Sequence, residues 1–108
     1  MTYCIFCKII HGEIPSKKVY ENDYVVAFDD ISPKAKVHTL VLPKAHVQSL
    51  IELEDETLMA EILKAVKKVA ALKGAKAYRI QVNNGKSEGQ EVMHLHFHVL
   101  SNTVEGDG

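Results

Sequence analysis

The chain reads as an α+β domain: a five-stranded antiparallel sheet carrying one long helix and a short N-terminal helix. Three observations predict this. One long stretch, Asp55 to Lys73, repeats apolar residues at three- and four-residue steps. Five shorter segments are β-branched and apolar, or alternate, between Gly, Pro, Asn and Asp residues. Their order, three strands, the long helix and two more strands, favours an antiparallel sheet with a helix on one face.

Cys4 to His11 carries Ile5, Phe6, Ile9 and Ile10 at helical spacing and stops before Gly12 and Pro15, which predicts a short helix and a turn. Lys18 to Glu21 and Tyr24 to Asp29 form a hairpin around Asn22-Asp23, residues whose side chains bond their own backbone in turns. Ile31-Ser32-Pro33-Lys34 is a loop. Val37 to Leu42 is a third strand, ended by Pro43. In the long helix Leu58, Ile62, Val66, Val69 and Leu72 make the apolar stripe, while Glu61, Lys64, Lys67 and Lys68 lie mostly off it as a solvated face. Glu54, Asp55 and Glu56 suit its start and Gly74 its end. Tyr78 to Asn83 alternates as a fourth strand, Asn84 to Gln90 is a Gly-bearing polar loop, and Val92 to Ser101 is the last strand. The tail Glu105 to Gly108 reads as frayed.

Composition narrows the function classes. A length of 108 residues suits one domain, residues 1–108, or a dimer of it. Thirteen Lys and Arg nearly balance fourteen Asp and Glu, so no basic field exists for a nucleic-acid partner. The start has no basic n-region or apolar h-region, and no apolar run approaches the ~18 residues of a membrane span. The expectation is a cytoplasmic protein without a membrane partner. In a reducing compartment the pair Cys4 and Cys7 is more often a metal or redox site than a structural disulfide.

His94-Leu95-His96-Phe97-His98 is the most informative segment. Strand side chains alternate faces, so the three imidazoles share one surface while Leu95, Phe97 and Val99 face the core. Three of the six histidines within five residues exceed what structure alone requires. Such a row suits a catalytic zinc site with an open position. It equally suits nucleophilic attack on phosphorus by one imidazole while its neighbours manage protons. The amides and glycines of Asn83 to Gln90, just upstream, favour an anion, and phosphate is the natural guest.

His94 to Leu100 has the pattern His-φ-His-φ-His-φ-φ. With Asp30-Ile31-Ser32-Pro33, His38 to Pro43 and Gly89-Gln90 it resembles the histidine-triad nucleotide-binding proteins, over Ile9 to Leu100 and with the motifs in order. The resemblance implies the HIT-like fold and a catalytic set of His96, His98 and His38. His96 would be the nucleophile that forms a nucleotidyl-imidazole, with His98 and His38 binding phosphate and managing protons. Nucleotide binding would further involve Asp30 at the ribose hydroxyls, Ile31 against the base, and Asn83, Gly89, Gln90, Glu91 and Val92 around the phosphate. Glu91 stands where the best-known eukaryotic members carry a phosphate-contacting serine, and its charge matches the ligand's.

Cys4-x-x-Cys7 supplies two of the four ligands of a structural zinc. The resemblance supplies the others, His46 of a Pro-x-x-His segment and His94. Two buried cysteines without metal is the competing reading, and a thioredoxin-like role lacks its βαβ pattern. His11 is read as exposed and without a task. The function implied is hydrolysis at the α-phosphate of a purine nucleotide, AMP or GMP derivatives such as nucleoside phosphoramidates or adenylated amines, by a homodimer. The alternatives are a dinucleoside polyphosphate hydrolase, a branch that usually carries more chain beyond the triad, a nucleotidyl transferase, and a nucleotide-binding scaffold without turnover.

Overall fold

The computed structural model describes residues 4–104; the tail Glu105 to Gly108, read above as frayed, lies outside them. Helix α1 (Ile5–Ile10) precedes β1 (Lys18–Glu21), β2 (Val25–Asp29) and β3 (Val37–Pro43). Helix α2 (Glu56–Leu72) follows, then β4 (Ala75–Gln81) and β5 (Phe97–Val104). The five strands form one antiparallel sheet, as the element order predicted, and lie in the order β1-β2-β3-β5-β4.

Both helices begin at side-chain caps. The Cys4 sulfur accepts from Cys7 N–H at the start of α1, and Asp55 Oδ1 accepts from Leu58 N–H at 3.0 Å at the start of α2. The β1–β2 turn is held by Asn22 Oδ1, which accepts from Tyr24 and Val25 N–H.

The sheet has two differently used faces. Leu58, Ile62, Val66 and Val69 of α2 pack on Val25, Ala27, Val41, Leu95, Phe97 and Val99, all buried. On the opposite face Phe6 and Ile9 of α1 pack on Val26, Phe28, Leu40 and Leu42. Alternation along β2 and β3 supplies both sets from the same strands. The short α1 covers only part of its face, and the uncovered part carries the histidines.

Several boundaries differ from the sequence expectation. The last strand pairs only from Phe97, not from Val92, and runs on to Val104. His94, at a bend, and His96 therefore sit ahead of the ladder, where Leu95 N–H donates to Val47 O at 2.7 Å. Their side-chain alternation persists because buried Leu95 fixes it. β4 covers Ala75–Gln81 rather than Tyr78 to Asn83; a register shift lets it pair back to Val104, and pairing with β5, not hydrophobic alternation, sets its ends. Pro43 belongs to β3, and Tyr24 falls outside β2. Leu72 is exposed, not part of the stripe, because α2 ends there and the sheet no longer lies beneath it.

Candidate functional site

The open half of the sheet face holds a cleft of about 440 Å³ lined by Asp30, Ile31, Asn83, Gly89, Glu91 and Val92 and floored by His38, His96 and His98. This is ample for a phosphate and a sugar. A second cleft, about 350 Å³, lies between α1 and the β1–β2 side of the sheet, walled by Ile5, Phe6, Ile9, Phe28 and Leu40. Asp30 and Ile31 border both. Ile31 is 98% exposed, an apolar side chain offered to solvent at the junction.

The hydrogen bonds assign the imidazole tautomers. His96 Nδ1 lies 2.7 Å from the carbonyl oxygen of His94, which can only accept; Nδ1 therefore donates, and Nε2 keeps its lone pair. His38 Nδ1 accepts from Lys34 N–H at 3.1 Å, so its proton sits on Nε2 and is donated to His98 Nδ1 at 2.9 Å. Neutral His98 then carries its own proton on Nε2. The floor thus offers one lone pair, on His96, and one donor, on His98.

Charge around the floor is mixed. Burial lowers the pKa of His38 and His96 and pushes His98 down to about 4, with neighbouring histidines adding to the effect at His98. The carboxylates of Asp30 and Glu91 oppose the shift at His96, whereas the Lys34 ammonium reinforces those at His38 and His98. Asp30 Oδ1 accepts from Ser32 N–H at 2.8 Å, and Oδ2 lies 3.5 Å from His38 Nε2. The carboxylate is held by its own loop.

The Gly-bearing loop is braced from within. Gly89 adopts φ +93°, and a Cβ there would crowd Asn83 Nδ2 at 3.3 Å. Asn83 Nδ2 donates to Glu88 O at 2.7 Å. Buried Gln90 does not line the cleft; its amide donates to Gln48 O and Val92 O and accepts from Gly85 N–H. The backbone N–H groups of Gly89 and Gln90 also serve the loop, on Lys86 O and Gly85 O. Gly89, Asn83, Glu91 and Val92 reach the cleft, and Gln90 shapes the loop that carries them.

Cys4, Cys7, His46 and His94 meet at the His94 end of the His94–His98 segment, with one donor atom of each inside a 4.8 Å group. Cys4 Sγ lies 3.3 Å and Cys7 Sγ 3.6 Å from His94 Nδ1, and Cys7 Sγ lies 3.3 Å from His46 Nδ1. Tetrahedral zinc with Zn–S near 2.3 Å and Zn–N near 2.0 Å separates its ligands by about 3.3–3.8 Å, so the spacing fits. The tautomer fits too: His94 Nε2 donates to Pro43 O at 2.8 Å, which turns the Nδ1 lone pair towards the thiols. Burial and the neighbouring Cys4 push the Cys7 thiol up to about 11, and burial holds His94 down to about 4. Asp30, His38 and His98 form a second group of metal-ligand type. There His38 Nε2 bears the proton it gives to His98, which suits a hydrogen-bond relay and not ligation.

Sequence reasoning missed the lining supplied by Gln81, Lys34 and Leu100, and it treated the α1 residues Ile5, Phe6 and Ile9 only as helix-forming. Phe6 stands between the two cysteines and meets the His96 ring edge-on, centroids 5.0 Å apart. Its place in the Cys-x-x-Cys turn was the available signal. His11 is exposed, as read.

Residues 11–104 match the family model of the HIT domain. The chain is 53% identical over 108 residues to an uncharacterized HIT-like protein of Methanocaldococcus jannaschii, spanning 97% of this chain and 82% of that one. It is 45% identical over 105 residues to an adenosine 5'-monophosphoramidase of Schizosaccharomyces pombe, spanning 97% and 78%. Among solved structures, a HIT family hydrolase from Legionella pneumophila superposes with a TM-score of 0.87 at 39% identity, covering 97% of this chain and 99% of that one.

Proposed function

This chain belongs to the HIT domain family, and from that premise we propose that it hydrolyses nucleoside 5'-phosphoramidates or adenylated amines at the α-phosphate through a covalent nucleotidyl-His96. The observation that carries the reading is the His96 tautomer: its Nδ1 is committed to His94 O, so the Nε2 lone pair remains for phosphorus at the floor of the cleft. The names of the fission-yeast and Legionella relatives support a hydrolase.

The ligand's parts follow the two clefts. A purine, from AMP or GMP derivatives, fills the apolar cleft against Ile31, Phe6 and Phe28. The ribose hydroxyls donate to Asp30, whose carboxylate Ser32 N–H holds in place. The phosphate sits over His96, with His98 Nε2–H as a donor and His38 holding that donor's tautomer. In the first step the Nε2–phosphorus bond forms as the bond from phosphorus to the amine breaks, and the departing nitrogen takes up one proton. Water then cleaves the phosphorus–imidazole bond, giving the monophosphate and returning one proton. One water is consumed overall.

Cys4, Cys7, His46 and His94 would hold a structural zinc, which supplies a staple and no reacting group. What these residues do for catalysis is positional. His94 presents the carbonyl that orients His96, and Phe6, set between the cysteines, abuts the His96 ring and walls the base cleft. A cytoplasmic homodimer belongs to the same reading, since β4 is a seven-residue edge strand with Tyr78 and Ile80 exposed, and Leu72 is exposed at the end of α2.

His96→Ala tests the mechanism. Single-turnover reaction with a radiolabelled phosphoramidate, quenched in alkali, traps a phosphohistidine adduct in the natural protein. The variant should lose adduct and turnover while AMP still binds within a few-fold. Hydrolysis by the variant at the natural rate would sink the covalent route. A natural protein that binds nucleotide but never turns over would favour a scaffold.

A further inference from the structure

Glu91 is an exposed carboxylate on the wall of the phosphate cleft, and among the described residues it has no hydrogen-bond or ion-pair partner. The charge is not on a loose tether. Its neighbour Gln90 is buried and bonded through its side-chain amide to three backbone groups, so the chain carrying Glu91 has a fixed course. Two other charged side chains line the cleft, Asp30 and Lys34. Asp30 is tied to Ser32 and beside His38, and Lys34 exerts its charge on His38 and His98. Glu91 and His96, the imidazole beneath the reacting phosphorus, line the same cleft.

An unpaired negative charge in a site for a phosphate weakens binding of the phosphate itself unless the ligand brings a cation. We propose that Glu91 selects substrates by the charge of the leaving group, favouring phosphoramidates of amines that carry a second, protonated nitrogen and disfavouring anionic polyphosphate leaving groups. This rests on the hydrolase reading above and names the substrate class within it. Any substituent on the α-phosphorus lies in the same cleft as Glu91. For unit charges ~7 Å apart at an effective dielectric near 40, the interaction is worth roughly tenfold in an equilibrium, and added salt reduces it.

The experiment compares adenosine 5'-phosphoramidates of 1,3-diaminopropane and of propylamine, alike in reach and differing by one positive charge. The natural protein should prefer the first by about tenfold in kcat/KM at low salt. Glu91→Gln should collapse that ratio towards one, and Glu91→Lys should invert it. An unchanged ratio in both variants overturns the proposal. Calorimetric titration with AMP and ADP reads the same selectivity without turnover: Glu91→Gln should tighten ADP relative to AMP by about tenfold, and an unchanged AMP-to-ADP ratio overturns it. Absence of hydrolysis in the natural protein with the binding shift intact would instead count against the hydrolase reading alone.

Discussion

His38 is the most informative residue to perturb, because it acts on the chemistry only through another side chain. It is 5% exposed, receives Lys34 N–H on Nδ1 and gives Nε2–H to His98 Nδ1. Replacement by Ala removes both bonds and opens a small void. Two neutral hydrogen bonds at about 1 kcal/mol each, plus the void, amount to about 3 kcal/mol, or roughly 10–15 °C in Tm for a chain of this size. The chemical effect is separate. Without its donor, His98 is free to place its proton on Nδ1, which turns an acceptor instead of a donor towards the phosphate, and kcat/KM for a phosphoramidate should fall by about 100-fold. His38→Gln separates the two effects. Its terminal amide reaches the position of Nε2 and can still donate to His98, while the bond from Lys34 is lost. Gln should therefore recover most of the activity but only part of the Tm. Nitrogen-15 spectra of His98 give the direct readout: an Nε2–H tautomer in the natural protein and the Gln variant, a mixture in Ala. If Gln is as inactive as Ala while His98 keeps its Nε2–H signature in both, the tautomer argument is wrong.

Acid should destabilise the fold in a defined window. Burial holds His98 near 4 and His38 below 6.5, whereas the unfolded chain binds these protons near 6.5; between those values the unfolded state binds more protons, so stability falls as pH drops from 6.5 towards 4. Thermal melts from pH 8 to 4.5 should show a plateau and then a decline, and a Tm that rises on acidification below 6.5 would contradict the burial of these imidazoles. Chelation by a strong zinc ligand, or Cys7→Ser, should lower Tm and weaken AMP binding together, because α1 walls the base cleft; plasma emission spectrometry should find about one zinc per chain lost, and unchanged AMP affinity would show that α1 stays seated without metal. Ile80→Glu places a charge on the exposed β4 edge, and light scattering should show a dimer becoming a monomer; a mass unmoved by the change would place any interface elsewhere.

Much of this organisation was legible because local pattern and tertiary role coincide. The α2 stripe, Leu72 apart, and the β2 and β3 runs are buried as their patterns require, and the strand count follows from turn residues such as Asn22, whose side chain holds the backbone of its own turn. The boundaries that moved are those where pairing, and not composition, decides. β4 begins at Ala75 because β5 continues to Val104 beside it, and no apolar alternation marks a strand exposed on both faces. The site was legible as residue types but not as bonds. Nothing in the sequence distinguishes Gln90, whose amide is consumed by its own loop, from Asn83, which lines the cleft. Nor does it show that Ile5, Phe6 and Ile9 wall a cleft, since helix-forming apolar spacing is the same in either case.

The division of labour among the four buried or half-buried imidazoles is imposed by backbone, not by the side chains' own differences. Pro43 O takes the Nε2 proton of His94 and leaves Nδ1 for the cysteines; His94 O takes the Nδ1 proton of His96 and leaves Nε2 for the cleft. Lys34 N–H occupies Nδ1 of His38, so His38 must donate to His98. Pro43 ends β3 and His94 lies just ahead of β5, positions fixed by the buried residues Val41, Leu95, Phe97 and Val99, whereas Lys34 belongs to the loop before β3. A substitution in that hydrophobic set would therefore reach the chemistry by rotating a carbonyl. The triad segment has apolar alternates that fix the backbone, a backbone that fixes the tautomers, and tautomers that separate a cysteine-facing imidazole from a cleft-facing one two residues away.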